Sequence, residues 1–129
     1  MTKERSYEDV NYSLVLQDGI MVGEIKEGVV INKDVSAIMI RERLRLSEGK
    51  SYPVILDGRK AKYWTMSSRN NYMKELSYDL ITAAAVILSS PIMKVIWNYT
   101  TKLFPPPVPL KVFPERESAI EWLQKYKNA

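Results

Sequence analysis

The chain has 129 residues, with 19 Lys and Arg against 15 Asp and Glu, a formal net charge of +4 and the apolar and charged fractions of an ordinary globular chain. It contains neither Cys nor His, which excludes disulfides, thiolate nucleophiles, thiolate metal sites, and Ser-His-Asp or Cys-His catalysis. No dense carboxylate cluster marks a metal site, so no metal or other cofactor is expected, and the interspersed charges permit an anionic partner without demanding one.

Residues 1–11 are polar, read as a frayed lead-in, and lack the apolar core of a signal peptide. Ser13–Gln17 and Ile20–Ile25 are short strands, and Asp18-Gly19 between them signals a hairpin turn. Asp34–Ser47 reads as a helix that stops before Gly49. At 100° per residue Asp34, Arg41, Glu42 and Arg45 share one side, while Val35, Ala37, Met39, Ile40, Leu44 and Leu46 give a broad apolar face suited to a sheet.

Tyr52–Leu56 is a continuous apolar run, the pattern of an interior parallel strand. It ends at Asp57-Gly58, and a loop with Arg59, Lys60, Lys62, Tyr63 and Trp64 follows. Thr65 is a candidate N-cap for a helix through Leu76. Ile81–Leu88 is the most apolar strand of the chain. Pro91 stands where a first helical turn tolerates proline. The helix it opens has two apolar stripes. Ile92, Val95, Ile96, Tyr99 and Leu103 form a tight one, and Met93, Trp97, Thr100 and Phe104 form a second, rotated by roughly a quarter to a third of a turn. Pro105–Pro107 and Pro109 force an extended connection to the short strand Leu110–Phe113. Pro114 then starts a last helix, Glu115–Tyr126, with Ala119, Ile120, Leu123 and Tyr126 inward.

The fold expected is α/β in a single domain, residues 1–129. A β-hairpin lead precedes four β-α units, with a mostly parallel central sheet and helices packed on it. The run from Ile81 to Tyr99 is the one membrane candidate, but Ser89, Ser90, Pro91, Lys94 and Asn98 interrupt it. No transmembrane segment is expected, and the chain reads as cytoplasmic.

Three stretches carry a family resemblance: LRLSEGKSYPVILDGR at 44–59, AAAVILSSPIMKVIWNYTTKL at 83–103, and VPLKVFPERESAIEWLQKY at 108–126. They resemble a small, uncharacterised bacterial family in the STAS/SEC14-like group, whose fold is the SpoIIAA-like fold of STAS domains. The resemblance implies that fold. It also implies a site of phosphorylation in STAS antagonists, a Ser that follows a strand and opens a helix. The corresponding region here is 55–68, and the short Asp-Ser-Ser/Thr-Gly signature is absent from it.

Each candidate site has a functional and a plain reading. Asp57, at a strand end, would bind a ligand or a metal, or serve as a turn residue bonding its own backbone. Thr65, Ser67 and Ser68 would take a phosphoryl group or an anion, or simply cap a helix. The basic and aromatic loop 59–64 suits phosphates and stacked bases, but no nucleic-acid-binding motif accompanies it, so no nucleic-acid partner is expected. The Ile92 stripe suffices to bury the helix on a sheet. Met93, Trp97, Thr100 and Phe104 are then left over for a protein partner, a homodimer seam, or the wall of a pocket for a lipid or small apolar ligand, or are covered by the neighbouring helix or by the PPPVP segment folding back. The leading expectation is a non-enzymatic interaction module that binds a protein partner or itself. A small-molecule or lipid carrier is the alternative, and no two polar groups converge in sequence to suggest an enzyme.

Overall fold

In the computed structural model, which describes residues 5–64, 78–103 and 105–127, six strands form one mixed sheet. They are β1 (Arg5–Glu8), β2 (Tyr12–Gln17), β3 (Ile20–Ile25), β5 (Tyr52–Asp57), β7 (Ile81–Ile87) and β8 (Leu110–Phe113), in the spatial order β1-β2-β3-β5-β7-β8. The first three are antiparallel to one another, and β3, β5, β7 and β8 run parallel. Two short strands, β4 (Val30–Ile31) and β6 (Tyr63–Trp64), pair in parallel as a separate ribbon.

The hairpin turn is where Asp-Gly predicts it. Asp18 and Gly19 both have positive φ, 51° and 79°, the geometry whose twist matches the flanking strands. The lead-in is a correction: Arg5–Glu8, expected to fray, adds an antiparallel edge strand to β2. It is tied down at both ends. Arg5 reaches the Tyr52 hydroxyl at 2.8 Å, and Lys26 pairs with Glu8 at 2.6 Å.

Three helices are described: α1 (Lys33–Ser47), α2 (Pro91–Leu103) and α3 (Arg116–Leu123), the last continuing as a 3₁₀ turn through Tyr126. The helix expected from Thr65 to Leu76 falls outside the described residues. One face of the sheet carries α1, α2 and the β4–β6 ribbon over a core that includes Leu14, Met21, Ile25, Met39, Leu56 and Trp97. The other face carries α3, whose Ala119 and Leu123 pack on Ile55, Ala85 and Ile87. Alternation along β7 explains the split: Ala84 and Val86 belong to the first core, and Ala83, Ala85 and Ile87 to the second. Both faces are covered, which is why the run 81–88 has no polar side.

Asn32 caps α1, its side chain accepting the Val35 N–H at 2.9 Å, and the helix ends in the left-handed Glu48 and Gly49. Its inner face is less apolar than spacing predicts. Ala37 is exposed, and Glu42 and Arg43 are buried beside Met39 and Leu46. Both charges are satisfied. Glu42 accepts from Arg45 at 2.7 Å and Arg41 at 3.2 Å, and Arg43 donates to the Asp79 carbonyl at 2.7 Å. In α3, Ile120 turns outward rather than inward, while Trp122 sits between Phe113 and Tyr126 with ring centroids 5.6 and 5.1 Å away.

Candidate interaction surface

Ser90 starts α2. Its hydroxyl accepts the Met93 N–H at 3.3 Å, its carbonyl accepts from Lys94, and Pro91 takes the first helical position. The helix then packs roughly a quarter to a third of a turn away from the orientation that would bury the Ile92 stripe. Trp97 is 2% exposed, and Met93 and Thr100 are half-buried beside it. Ile92, Val95, Tyr99 and Leu103 are 71, 67, 63 and 56% exposed. Four residues of the Ile92 stripe therefore face out and the fifth, Ile96, is half-buried, while Met93, Trp97 and Thr100 turn inward, the covered reading of their stripe. Phe104 lies outside the described residues.

The reason is a partner far away in the chain. Trp64, on β6, is also 2% exposed and meets Trp97 edge-on, with centroids 5.2 Å apart and planes at 67°. Two indoles in an edge-to-face contact gain the quadrupolar attraction of their rings beyond the apolar area they bury. Gly58 makes room: a Cβ there would stand 3.2 Å from the Trp64 ring. Trp64 was read in sequence as part of a basic loop. Its role is to choose which face of α2 turns inward.

The outward stripe spans positions 92, 95, 99 and 103, the spacing of a helix that docks on another surface. Four large apolar side chains in one contiguous row amount to roughly a few hundred Å² of exposed apolar surface, about the size of the largest apolar patch on a typical monomer. Lys102 adjoins it, Lys94 lies on another side of the helix, and from Leu80 to Pro114 the chain has these two, Lys111 and no acidic residue.

Asp57 is a different kind of place. It ends β5 and is almost fully buried. Arg59 grips it with Nε at 3.0 Å, Nη2 at 2.7 Å and its own backbone N–H at 3.2 Å, and Arg116 from the start of α3 adds Nη2 at 3.1 Å. Arg116 also stands 3.8 Å from Glu24, which Lys60 approaches at 3.4 Å. Burial pushes the Asp57 carboxyl up, but the bonds from Arg59 and Arg116 outweigh it and hold it below the usual carboxylate range. The same contact holds the Arg59 guanidinium up. A carboxylate so held does not trade protons near neutrality. It latches the start of α3 to the ends of β3 and β5. Thr65, Ser67 and Ser68 lie outside the described residues. Among the described residues no group of His, Cys, Asp or Glu has a metal-binding arrangement, and no helix is long and apolar enough to cross a membrane.

Residues 14–127 match the family described as domain of unknown function DUF7793. The chain belongs to the DUF7793 family. Its structure is similar to that of an uncharacterised protein of the DUF3478 family with a SpoIIAA-like fold, from Shewanella loihica PV-4. The two share 10% sequence identity with a TM-score of 0.60, over 94% of this chain and 92% of that one. That likeness establishes the fold of this DUF7793 chain, which is SpoIIAA-like. No curated protein matches the sequence. Among the described residues of this DUF7793 protein the outer face of α2 has no structural task, whereas Asp57 is consumed by its own ion pairs.

Proposed function

We propose that this protein is a non-enzymatic interaction module whose contact surface is the outward stripe of α2. The observation that carries the reading is the exposure of Ile92, Val95, Tyr99 and Leu103 on a helix already anchored by Trp97. The interior does not need these side chains, and water disfavours them.

Magnitudes bear on what kind of contact this is. Burying an aliphatic or aromatic side chain of this size gains about 1.5–3 kcal/mol. Four of them, roughly two-thirds exposed, would recover on the order of 4–8 kcal/mol, comparable to the lower part of the estimated cost of association. The helix face alone supports a reversible contact, the behaviour of a regulatory module, and a tighter one only if a neighbouring surface joins it.

The carrier alternative has less support. Beneath α1, the space among Tyr12, Met39, Val54 and Leu56 is about 10 Å³, room for one water at most. The larger clefts among the described residues are open and carry Lys, Asn, Thr, Ser and Glu side chains, which do not suit an acyl chain.

The test is photocrosslinking in cells that make the protein. Benzoylphenylalanine placed at Val95 or Tyr99 should give a discrete covalent adduct, with another protein or a second copy, that the same group at exposed Lys50 does not. Adduct patterns identical at all three positions would refute the assignment of the surface.

A further inference from the structure

The strand β8 is the last in the sheet, and two open clefts stand astride it. One, about 320 Å³, lies on the α2 face between Lys94, Asn98 and Thr101 and the strand residues Leu110 and Val112. The other, about 450 Å³, lies on the α3 face against Phe113, Ser118 and Trp122. Lys111 lines both, and no residue of β7 lines either, so both lie along the outer rim of the sheet.

The main chain at that rim is open in a defined pattern. The Pro109 and Phe113 carbonyls accept from Ala84 and Leu88 on the β7 side. In a parallel ladder, alternate residues face the same neighbour, so Pro109, Lys111 and Phe113 face β7, and Leu110 and Val112 turn their N–H and C=O groups outward. Among the described residues no strand takes them up. Pro109 and Pro114 bracket the stretch, so a guest has only two outward N–H groups to accept from, and its register is fixed.

We infer that β8 is a docking edge for an extended, acidic segment of another polypeptide, which adds to the sheet as a seventh strand. The proposal does not rest on the outward stripe of α2, because the residues at 94, 98 and 101 lie on a different side of that helix. A guest strand would alternate. Side chains on the α2 face would meet Lys94, Asn98 and Thr101 and should be carboxylates. Those on the α3 face would meet the rim of Phe113 and Trp122 and should be apolar or aromatic. Lys94 and Lys111 have no carboxylate partner among the described residues, and the α2-face cleft is lined by both lysines and by no acid, whereas on the α3 face Glu121 offsets Lys125, so the cationic preference belongs to the α2 side. The same charge argues against a second copy. A symmetric pair of β8 strands would bring two Lys111 side chains close together on one face.

The test is an amide NMR titration of the whole chain with blocked hexapeptides that alternate Glu with Val, Phe or Tyr. At least one should give saturable shifts at Leu110 and Val112. Replacing Glu by Lys in that peptide, or N-methylating the amides on its pairing edge, should each weaken binding by about tenfold or more. The variant Lys94→Glu, at a half-buried position on the cleft wall and with its fold checked by circular dichroism, should weaken the Glu peptide and favour the Lys peptide. The proposal is overturned if no peptide shifts Leu110 and Val112, if the N-methylated peptide binds equally well, or if these amides move with protein concentration alone, which would assign the edge to self-pairing.

Discussion

Replacing Trp97 by Ala should be far more damaging than replacing either of its exposed neighbours on the same helix, and the contrast can be worked out in advance. Trp97 is 2% exposed and shares an edge-to-face contact with Trp64. Removing a buried Trp side chain costs about 3–5 kcal/mol, part of it the cavity left behind. With a urea dependence near 2 kcal/mol per molar, within the range for a small domain, the midpoint should fall by roughly 2 M. Val95→Ala and Tyr99→Ala touch side chains that are two-thirds exposed and should stay within about 0.5 kcal/mol of the parent. Urea unfolding followed by far-ultraviolet circular dichroism, at a protein concentration too low for self-association, measures all three. If Trp97→Ala leaves too little folded protein, Trp97→Phe serves, with a smaller loss in the same direction. The reasoning fails if the Val95 or Tyr99 variant loses as much as the Trp97 variant, because the helix would then be turned the way its spacing alone suggests.

Other consequences follow from the same geometry. Asp57→Asn should cost about 1–3 kcal/mol at neutral pH, since it weakens charge-assisted bonds to Arg59 and Arg116, whose heads can still reach water. The sign with pH is fixed. The Asp57 carboxyl is lowered by folding, so its contribution is present above the unfolded value, near 3.9, and fades as pH falls through the folded value. Melting curves of parent and variant should therefore converge in acid, and a gap that stays constant down to pH 2 would contradict the ion-pair account. Gly23→Ala places a Cβ 2.6 Å from the Tyr12 hydroxyl. It should lower stability by about 1–3 kcal/mol, a loss that Tyr12→Ala in the same chain partly relieves in a double-mutant cycle. Glu48→Gly relieves a left-handed residue, φ 50°, at the end of α1. Loss of the Arg5–Glu48 pair, whose Arg5 side chain is only 25% exposed, offsets part of that relief, so the net change should stay within about 1 kcal/mol, and thermal melts should find Glu48→Gly more stable than Glu48→Ala, which loses the pair and keeps the left-handed strain.

Much of the fold was legible because its signals are local. Asp18-Gly19 specifies its turn by backbone geometry alone, Pro91 marks the start of its helix, and the run 81–88 advertises a strand covered on both sides. Arg5–Glu8 was not legible, since an edge strand with one partner needs only alternate burial and carries a weak apolar signal. The polar inner face of α1 was hidden for a related reason. Glu42 and Arg43 count as polar in any periodicity, yet neighbouring arginines and a distant carbonyl satisfy them. The stripes of α2 were both visible, and what spacing could not supply was the choice between them. That choice depends on Trp64, 33 positions earlier, placed by a two-residue ribbon that no sequence pattern announces. The Arg116 arm on Asp57 was equally remote, 59 positions away, so Asp57 could be recognised as a strand-end acid but not as a closed ion pair.

Hydroxyl-radical footprinting of the unaltered chain, in dilute solution and read residue by residue by mass spectrometry, tests the rotation of α2 most directly. Trp97 and Tyr99 are both reactive aromatics, two positions apart in one peptide, so their relative oxidation depends chiefly on which of them water can reach. Tyr99 should oxidise readily while Trp97 stays protected until the chain unfolds. Ready oxidation of native Trp97 with Tyr99 spared would place the Ile92 stripe in the core and remove the surface on which the proposed function stands.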